Sequence, residues 1–540
     1  MDSSSDLFRR LEQLNAIGAA LSKERDINRL LETILVAAKT ITHADGGTLY
    51  RMTEDGRALR FEILRTDSLD IAMGGTTGHV INFPNLPLTN DKGEANDSMV
   101  AAYAAIHDKT VNIADAYTEA GFDFSGTRSF DQRTGYRSQS FLTVPMKNHE
   151  SEIIGVLQLI NALDPLTQQV TPFSLADQSL AESLASQAAI ALTNRFLITQ
   201  LEALFEAFIK LINLAIDEKS PYTGGHCQRV PALTMMLAEA VDAATEGPLA
   251  PFRMDDRDRY ELKIAGLLHD CGKVTTPVHV VDKATKLQTL FDRIHLIDTR
   301  FEVLKRDAQI NALRQQLALR EDADVAADER IRQQCQDEIR MLDEEREFLR
   351  KANVGGEAMK EADQQRVRDI GSRHKWRDVD AVETDFLTAD EADNLAIRAG
   401  TLTQKEREII NHHIVATIKM LEQLPWPKHL TRVPEYAGGH HERMDGKGYP
   451  KGLTREQMSL QARMMGIADI FEALTARDRP YKPGMKLSQA MGIMANFKKN
   501  GHIDPDLFDV FVRQGVYRRY AEQFLDPAQI DAVDETVLTG

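Results

Sequence analysis

Between Val278 and Leu424 the sequence contains no proline. Proline would break a helix, so a stretch this long without it and with apolar residues at helical spacing points to long α-helices. Leu290, Ile294, Ile297, Phe301 and Leu304 form one apolar stripe, and Ile331, Cys335, Leu342 and Leu349 form another. The polar, turn-compatible "REDADVAADE" separates them. Residues 287–400 are therefore expected to hold an antiparallel helical hairpin, then a looser acidic segment from Gly355 to about Gly400. The segment carries no chemical motif and reads as an interaction arm.

The rest of the chain is patterned differently. At 540 residues it is too long for one core, so two or three domains are expected. Residues 1–25 carry a helix, with Leu7, Leu11, Leu14 and Leu21 at helical spacing. Asp26 is placed to cap a second helix. "GTLYRM", "ALRFEIL", "SFLTVPMKN" and "EIIGVLQLINA" then read as strands, the last two forming a hairpin. Helices around antiparallel strands predict an α+β domain over residues 26–195. From Ser179 to Asp217 the pattern is helical again. Ile198, Leu201, Phe205, Phe208, Ile212 and Ala215 recur at alternating spacings of three and four, the seam of a coiled coil over residues 196–214 and the mark of a homodimer. The other reading of that stripe is a single buried helix.

Composition excludes several classes. The net charge is −17 with no long basic run, which argues against a nucleic-acid polymer or an anionic membrane as partner. The three cysteines, Cys227, Cys271 and Cys335, form no C-x-x-C pair, as suits a reducing compartment. No signal-peptide core or membrane-length apolar run is evident, so a cytoplasmic protein is expected.

Chelating residues recur in short motifs. His226 lies in "SPYTGGHCQRV" and the adjacent His269 and Asp270 in "LLHDCGK", with Lys273 close behind. His413 lies in "LTQKEREIINHH", where Thr403 and Glu406 read as a capping box. His440 and His441 stand side by side in "GGHHERMDGKGYP". Asp469 sits in the apolar helix "RMMGIADIFEALTA", where a carboxylate is costly unless paired or metal-bound. Helical neighbours point about 100° apart, so His440 and His441 can share a metal only if the helix breaks, and the flanking glycines permit that break. Periodicity does not choose between His412 and His413.

These motifs, in this order, resemble the HD-GYP family of HD-domain phosphohydrolases. The resemblance covers residues 205–286 and 401–525. It implies an all-α HD-GYP domain in two parts, 215–286 and 401–525, interrupted by the 287–400 arm where the family usually has a short loop. It implies two divalent metal ions, with iron or manganese suited to mixed imidazole and carboxylate ligands. The implied ligands are His226, His269, Asp270, His413, His440, His441 and Asp469, with Asp270 bridging. His226, His269 and Asp469 would complete one site, and His413, His440 and His441 the other. The motif selects His413 over His412. Tyr222 stands where some members place a glutamate that supports a third metal. Lys273, Arg479 and Lys482 match residues that hold substrate phosphates. Asp445, Gly446, Gly448, Tyr449 and Pro450 match the loop that influences substrate access or partner binding. The implied activity is metal-dependent hydrolysis of cyclic di-GMP to pGpG, and on to GMP. The alternative is a non-catalytic cyclic di-GMP receptor signalling through that loop and the arm.

"GGTLYRM", "VNIADAY", "FDQRTGYRSQSFLTVPM" and "IIGVLQLINA" resemble a GAF sensory domain over residues 26–195. Such a domain implies a small-molecule ligand or a relay role. Asn161, Ala162, Phe173, Asp177 and Gln178 fall where ligand-binding members carry Asn-Lys, Phe and Asp-Glu, so lysine and glutamate are replaced. Phe122, Asp131 and Arg133 are the pocket candidates. The expected architecture is thus multidomain: an α+β GAF domain, then an all-α HD-GYP domain with a long helical insertion.

Overall fold

The computed structural model describes residues 3–90, 93–219, 225–319, 325–356, 358–377, 380–477 and 484–538. It divides into two compact units, Met1–Phe205 and Glu206–Gly540. Among the described residues no helix is long and apolar enough to cross a membrane.

The first unit opens with α1 (Ser3–Leu21) and α2 (Ile27–Thr42), the latter capped by Asp26 as its sequence predicts. One antiparallel sheet follows, from β1 (Ala44–Met52), β2 (Ala58–Thr66), β3 (Ile71–Gly74), β4 (Leu86–Pro87), β5 (Val111–Ile113), β6 (Phe141–Lys147), β7 (Ile153–Leu163) and β8 (Val170–Thr171). Its order is β3-β2-β1-β7-β6-β5, with β4 against β2 and β8 against β7. The four strands read from sequence are β1, β2, β6 and β7, the centre of that sheet. The others are short edge strands without enough apolar alternation to be seen. Gly47 lets α2 lie on the sheet, since a Cβ there would be 2.8 Å from Leu35. One sheet face packs on α1, α2 and the start of α5 (Leu175–Lys219) through Ile34, Leu35, Leu157, Leu159 and Leu184. The helices α3 (Val100–His107) and α4 (Ser125–Thr134) complete the unit.

The second unit is helical apart from one small hairpin. It contains α6 (His226–Asp242), α7 (Asp256–Leu268), a 3₁₀ turn Cys271–Thr275 and α8 (Val278–Val281). The arm comprises α9 (Ile294–Ala318), α10 (Val325–Asn353), α11 (Glu361–Arg373), the β9 (Lys375–Arg377) and β10 (Glu383–Asp385) hairpin, and α12 (Ala389–Leu395). Then come α13 (Gln404–Leu421), α14 (Val433–Gly438), α15 (Leu460–Thr475), α16 (Leu487–Lys499), α17 (Pro505–Arg513) and α18 (Val516–Phe524).

Two expectations for the arm are corrected. Leu290 is 94% exposed and precedes α9, so it does not belong to that stripe. The acidic segment after Gly355 is not loose. Val367, Ile370, Phe386, Leu387 and Leu395 share one core with Ile297, Phe301, Leu342 and Leu349. Its charges hid this, because they are neutralised inside: its buried Glu391 pairs with Arg300 at 2.7 Å, and its Arg373 pairs with the buried Glu345 of α10 at 3.0 Å.

The arm begins and ends at one place. Thr401 Oγ1 donates to the Lys283 carbonyl at 2.9 Å, and the Lys283 ammonium reaches both oxygens of Glu406 at 2.8 Å. Glu406 also closes the expected capping box with Thr403. Lys283 is 2% exposed. Glu406→Ala removes the countercharge and leaves this buried cation on the neutral Asn394 Oδ1 at 3.0 Å, and it is expected to destabilise the second unit by about 3 kcal/mol, read as a lowered calorimetric transition. An unchanged transition would remove this ion pair from the forces closing the arm.

Candidate metal centre

Seven chelating side chains meet inside the second unit. His226 is the first residue of α6, His269 the C-cap of α7, and Asp270 the residue before the 3₁₀ turn. His413 lies on the inner face of α13 and is 3% exposed, while its neighbour His412 faces outward. His440 and His441 follow the end of α14, and Asp469 is in mid-α15. Within each of three overlapping triplets, His226/His269/Asp270, His269/His440/Asp469 and His413/His440/His441, the ligand atoms lie within 4.8 Å of one another.

Glycines let the backbones come this close. Gly272 donates its N–H to Thr417 Oγ1 at 2.9 Å, and a Cβ on it would lie 2.0 Å from the His413 carbonyl oxygen. The 3₁₀ turn therefore rests directly on α13. The pair before His440 has a role other than the expected one. Gly439 has an ordinary φ of −94°, so no unusual dihedral is needed there. Instead, Cβ atoms on Gly438 and Gly439 would approach Ile418 and Ala462 within 2.6 and 2.8 Å.

Hydrogen bonds fix which ring nitrogen faces the centre. The Nδ1 of His269 donates to Gly266 O at 2.7 Å, that of His440 to Ala437 O at 2.6 Å, and that of His413 to Ile410 O. Each carbonyl can only accept, so each ring presents a bare Nε2 lone pair to the centre when neutral. His413 Nε2 faces Asp270 Oδ1 at 3.2 Å, and both atoms are buried without a hydrogen-bond partner, as is His440 Nε2. Two acceptors turned toward each other in a dry interior are what a cation between them reconciles. The donor set therefore fits divalent metal ions. The other Asp270 oxygen faces His226 Nε2 at 3.1 Å, His269 Nε2 at 3.2 Å and the Lys273 ammonium at 2.5 Å. One carboxylate thus looks toward both groups of histidines.

Electrostatics favour the ligand forms of His440, His441 and Asp270. Burial, reinforced by His441 and His269, holds His440 well below the usual imidazole range. Burial pushes His441 down to about 4. Both are neutral near neutral pH, as metal binding requires. Burial alone would raise Asp270, but Lys273 and His269 outweigh it and hold the carboxyl well below its ordinary range. Lys273 is raised, because Asp270 and Asp469 overcome its burial, and it stays a cation. His226 runs the other way: Glu472, Asp270 and Asp469 outweigh its burial and raise it, favouring the protonated form, whose Nε2 proton a bound metal ion would displace.

The loop after His441 folds back against it. The Tyr449 ring stacks on His441 at 4.8 Å, and its N–H donates to the His441 carbonyl at 3.2 Å. Asp445 pairs with Arg443 at 2.8 Å, and Gly446 takes a φ of +73°. Gly448 passes over Glu442, where a Cβ would be 2.4 Å from its Cα. Pro450 is joined to Tyr449 by a cis peptide bond. Glu442 was missed in the sequence; buried, it accepts the N–H groups of Lys451 and Leu453 at 2.7 and 2.9 Å and ties down the far side of the loop. Glu472 was missed too, although a second carboxylate three residues after Asp469 on an apolar helix is a visible signal. Arg479, Lys482 and Tyr222 lie outside the described residues.

Each of the GAF pocket candidates has a partner within the fold. Asp131 turns inward and is occupied by Tyr117 Oη and by the N–H and Oγ of Ser138, at 2.7–2.8 Å. Arg133, exposed two residues on, donates to Ser129 O at 3.3 Å. Phe122 packs edge-on against Tyr103. Two positions of the ligand signature also serve the fold. Asn161, at φ +57°, accepts the N–H groups of Gln139 and Ser140, and Asp177 accepts from Ser174 and pairs with Arg10.

Family models match stretches in both units. Residues 26–192 match the GAF domain family, and residues 223–353 and 389–507 each match an HD domain family. A cyclic di-GMP phosphodiesterase of Pseudomonas aeruginosa is 40% identical over 126 residues, 23% of this chain and 29% of that protein. A 3′3′-cGAMP-specific phosphodiesterase of Vibrio cholerae is 48% identical over 81 residues, 15% of this chain and 19% of its own. A cyclic di-GMP phosphodiesterase of Thermotoga maritima is 30% identical over 136 residues, 24% of this chain and 36% of its own. The matched stretches thus span 19–36% of these relatives. The solved GAF domain of an Acinetobacter phosphoenolpyruvate-protein phosphotransferase aligns over 37% of this chain and 98% of its own at 16% identity, with a TM-score of 0.25. The chain carries an N-terminal GAF domain followed by HD-domain sequence in two matched segments.

Proposed function

We propose that this protein is a metal-dependent phosphodiesterase that opens cyclic di-GMP to linear pGpG, and further to GMP, under control of its GAF domain. The observation that carries this reading is the buried convergence of bare imidazole lone pairs and two carboxylates. A receptor has no need to keep so costly a set. His226, His269 and Asp469 would hold one divalent ion, His413, His440 and His441 the other, with Asp270 between them and iron or manganese as the fitting metals. Bound there, the two ions supply an activated water and neutralise charge on the phosphate. Lys273 supplies a fixed cation beside the phosphate and stabilises its developing charge. Tyr449 shields the open side of His441 and sets its ring plane. Arg479 and Lys482, outside the described residues, are the further phosphate-binding residues that the motif implies.

The GAF-to-HD connection supports regulation. The last residue of α5, Lys219, donates to the carbonyls of Lys273 and Val274, in the turn that carries the phosphate-binding lysine. A small-molecule GAF ligand and protein partners on the loop after His441 or on the arm belong to the same reading, as does a cytoplasmic setting.

The protein acts as a homodimer through α5. Ile190, Leu197, Leu204 and Leu211 alternate at spacings of three and four with Asn194, Leu201, Phe208 and Ala215, and all eight are exposed. The expected row through Ile198, Phe205 and Ile212 flanks this one, so the apolar face is broader than a single seam. A lone asparagine in such a row favours a parallel, in-register pair. The double substitution of Leu204 and Leu211 by Lys is expected to give a monomer in sedimentation velocity. A dimer of unchanged strength would remove α5 from the interface.

The test is turnover by the purified full chain under reducing, anaerobic conditions, with metal measured on the same sample. pGpG or GMP with about two metals per chain supports the enzyme. Both metals with no turnover supports the receptor. The 48% identity to a 3′3′-cGAMP-specific enzyme makes that dinucleotide the second substrate to assay.

A further inference from the structure

Three of the buried histidines are oriented by their own chain, three residues back: His269 by Gly266, His413 by Ile410 and His440 by Ala437. Among the described residues His226 has no such anchor, and it is the first residue of its helix. Its Nδ1 instead meets Glu472 Oε2 at 2.5 Å, while Asp469 Oδ1 lies 3.3 Å from its Nε2. Both carboxylates come from α15, one turn apart. One helix therefore holds both nitrogens of a ring that belongs to another. Glu472 is 1% exposed, and its remaining oxygen accepts from Arg229 Nε at 2.7 Å, one turn along α6 from His226.

We infer that Glu472 is a positioning residue for one of the two metal ions: it accepts the Nδ1 proton of His226, turns the Nε2 lone pair toward Asp270 and Asp469, and so couples occupancy of that ion to the docking of α15 on α6. The inference rests on the two-metal reading above. A carboxylate behind a ligating histidine fixes its tautomer and orientation, and its loss weakens metal binding by about 10- to 100-fold. Here the effect falls on one ion, because His413 and His440 keep their backbone anchors and never touch Glu472.

The experiment is a manganese titration of the full chain by equilibrium dialysis with metal analysis, on wild type, Glu472→Gln and Glu472→Ala, with circular dichroism as the fold check. Wild type is expected to bind two ions. Glu472→Gln keeps an oxygen that can accept the Nδ1 proton, so both ions stay within about tenfold of wild-type affinity. Glu472→Ala loses about 10- to 100-fold at one ion and leaves the other unchanged. If the alanine variant does not fold, Glu472→Asp replaces it: the charge remains, one methylene short of His226, and the same one-ion loss is expected. A folded alanine or aspartate variant binding both ions as wild type does overturns the inference. Equal weakening of both ions overturns it as well. Failure of wild type itself to bind two ions would instead strike the two-metal reading.

Discussion

Replacing Asp270 by Ala is expected to abolish turnover and metal retention together. Its two oxygens face the two histidine groups: one meets His226, His269 and Lys273, and the other meets His413. Its loss removes the shared ligand and takes one counter-charge away from the buried imidazoles. Transition-state charge stabilisation by metal centres is worth several kcal/mol, so kcat should fall by about a thousandfold or more. Metal content per chain should fall in the same preparation. Asn at this position keeps the volume and loses the charge, so Asp270→Asn separates packing from ligation. An Asp270→Ala protein that keeps both metals and full turnover would refute the site. A cellular role that survives the loss of both would favour the receptor.

Gly272→Ala is expected to have the largest effect on stability. A Cβ there would lie 2.0 Å from His413 O and 2.6 Å from Thr417 N. These are backbone atoms inside α13 and cannot rotate aside. The 3₁₀ turn must move off the helix, taking Asp270 and Lys273 with it. A cost of about 4 kcal/mol or more is expected, in the range reserved for gross steric conflict in a core. The control is Gly492→Ala. Gly492 is an exposed residue within α16, and a Cβ added to it would meet open space. Helix propensity therefore predicts a gain of about 0.5–1 kcal/mol there. Thermal unfolding of the two variants should move in opposite directions. A Gly272→Ala protein as stable as wild type would show that the turn does not need this contact.

The sequence made the local features plain. Asp26 and Thr403 cap their helices as read, and the central strands of the sheet stand where strand-like segments were read. The seven chelating residues were visible because they recur in short motifs, and Asp469 also because a carboxylate is costly in an apolar helix. What the sequence hid depends on partners far along the chain. Glu472 takes its meaning from His226, Asp131 from Ser138 and Tyr117, and Glu345 from Arg373 and His374. A charge read alone looks solvated; paired across a core it is structural. The segment after Gly355 was misjudged on the same ground, since its acids conceal apolar positions that complete the arm.

The joined ends of the arm also bear on the order of folding. His226, His269 and Asp270 precede it in the chain, and His413, His440, His441 and Asp469 follow it. On a ribosome, the first half of the metal centre emerges with buried charges unpaired and must wait while the whole arm is made. The arm's core draws on residues between Leu287 and Leu395 alone, so it can form before α13 appears. Once folded, it brings Thr401 to Lys283 and shortens the loop that remains to be closed, at a small entropic cost. A slow-folding arm would then delay the centre without touching it, and the rate at which metal-binding competence appears would follow the arm.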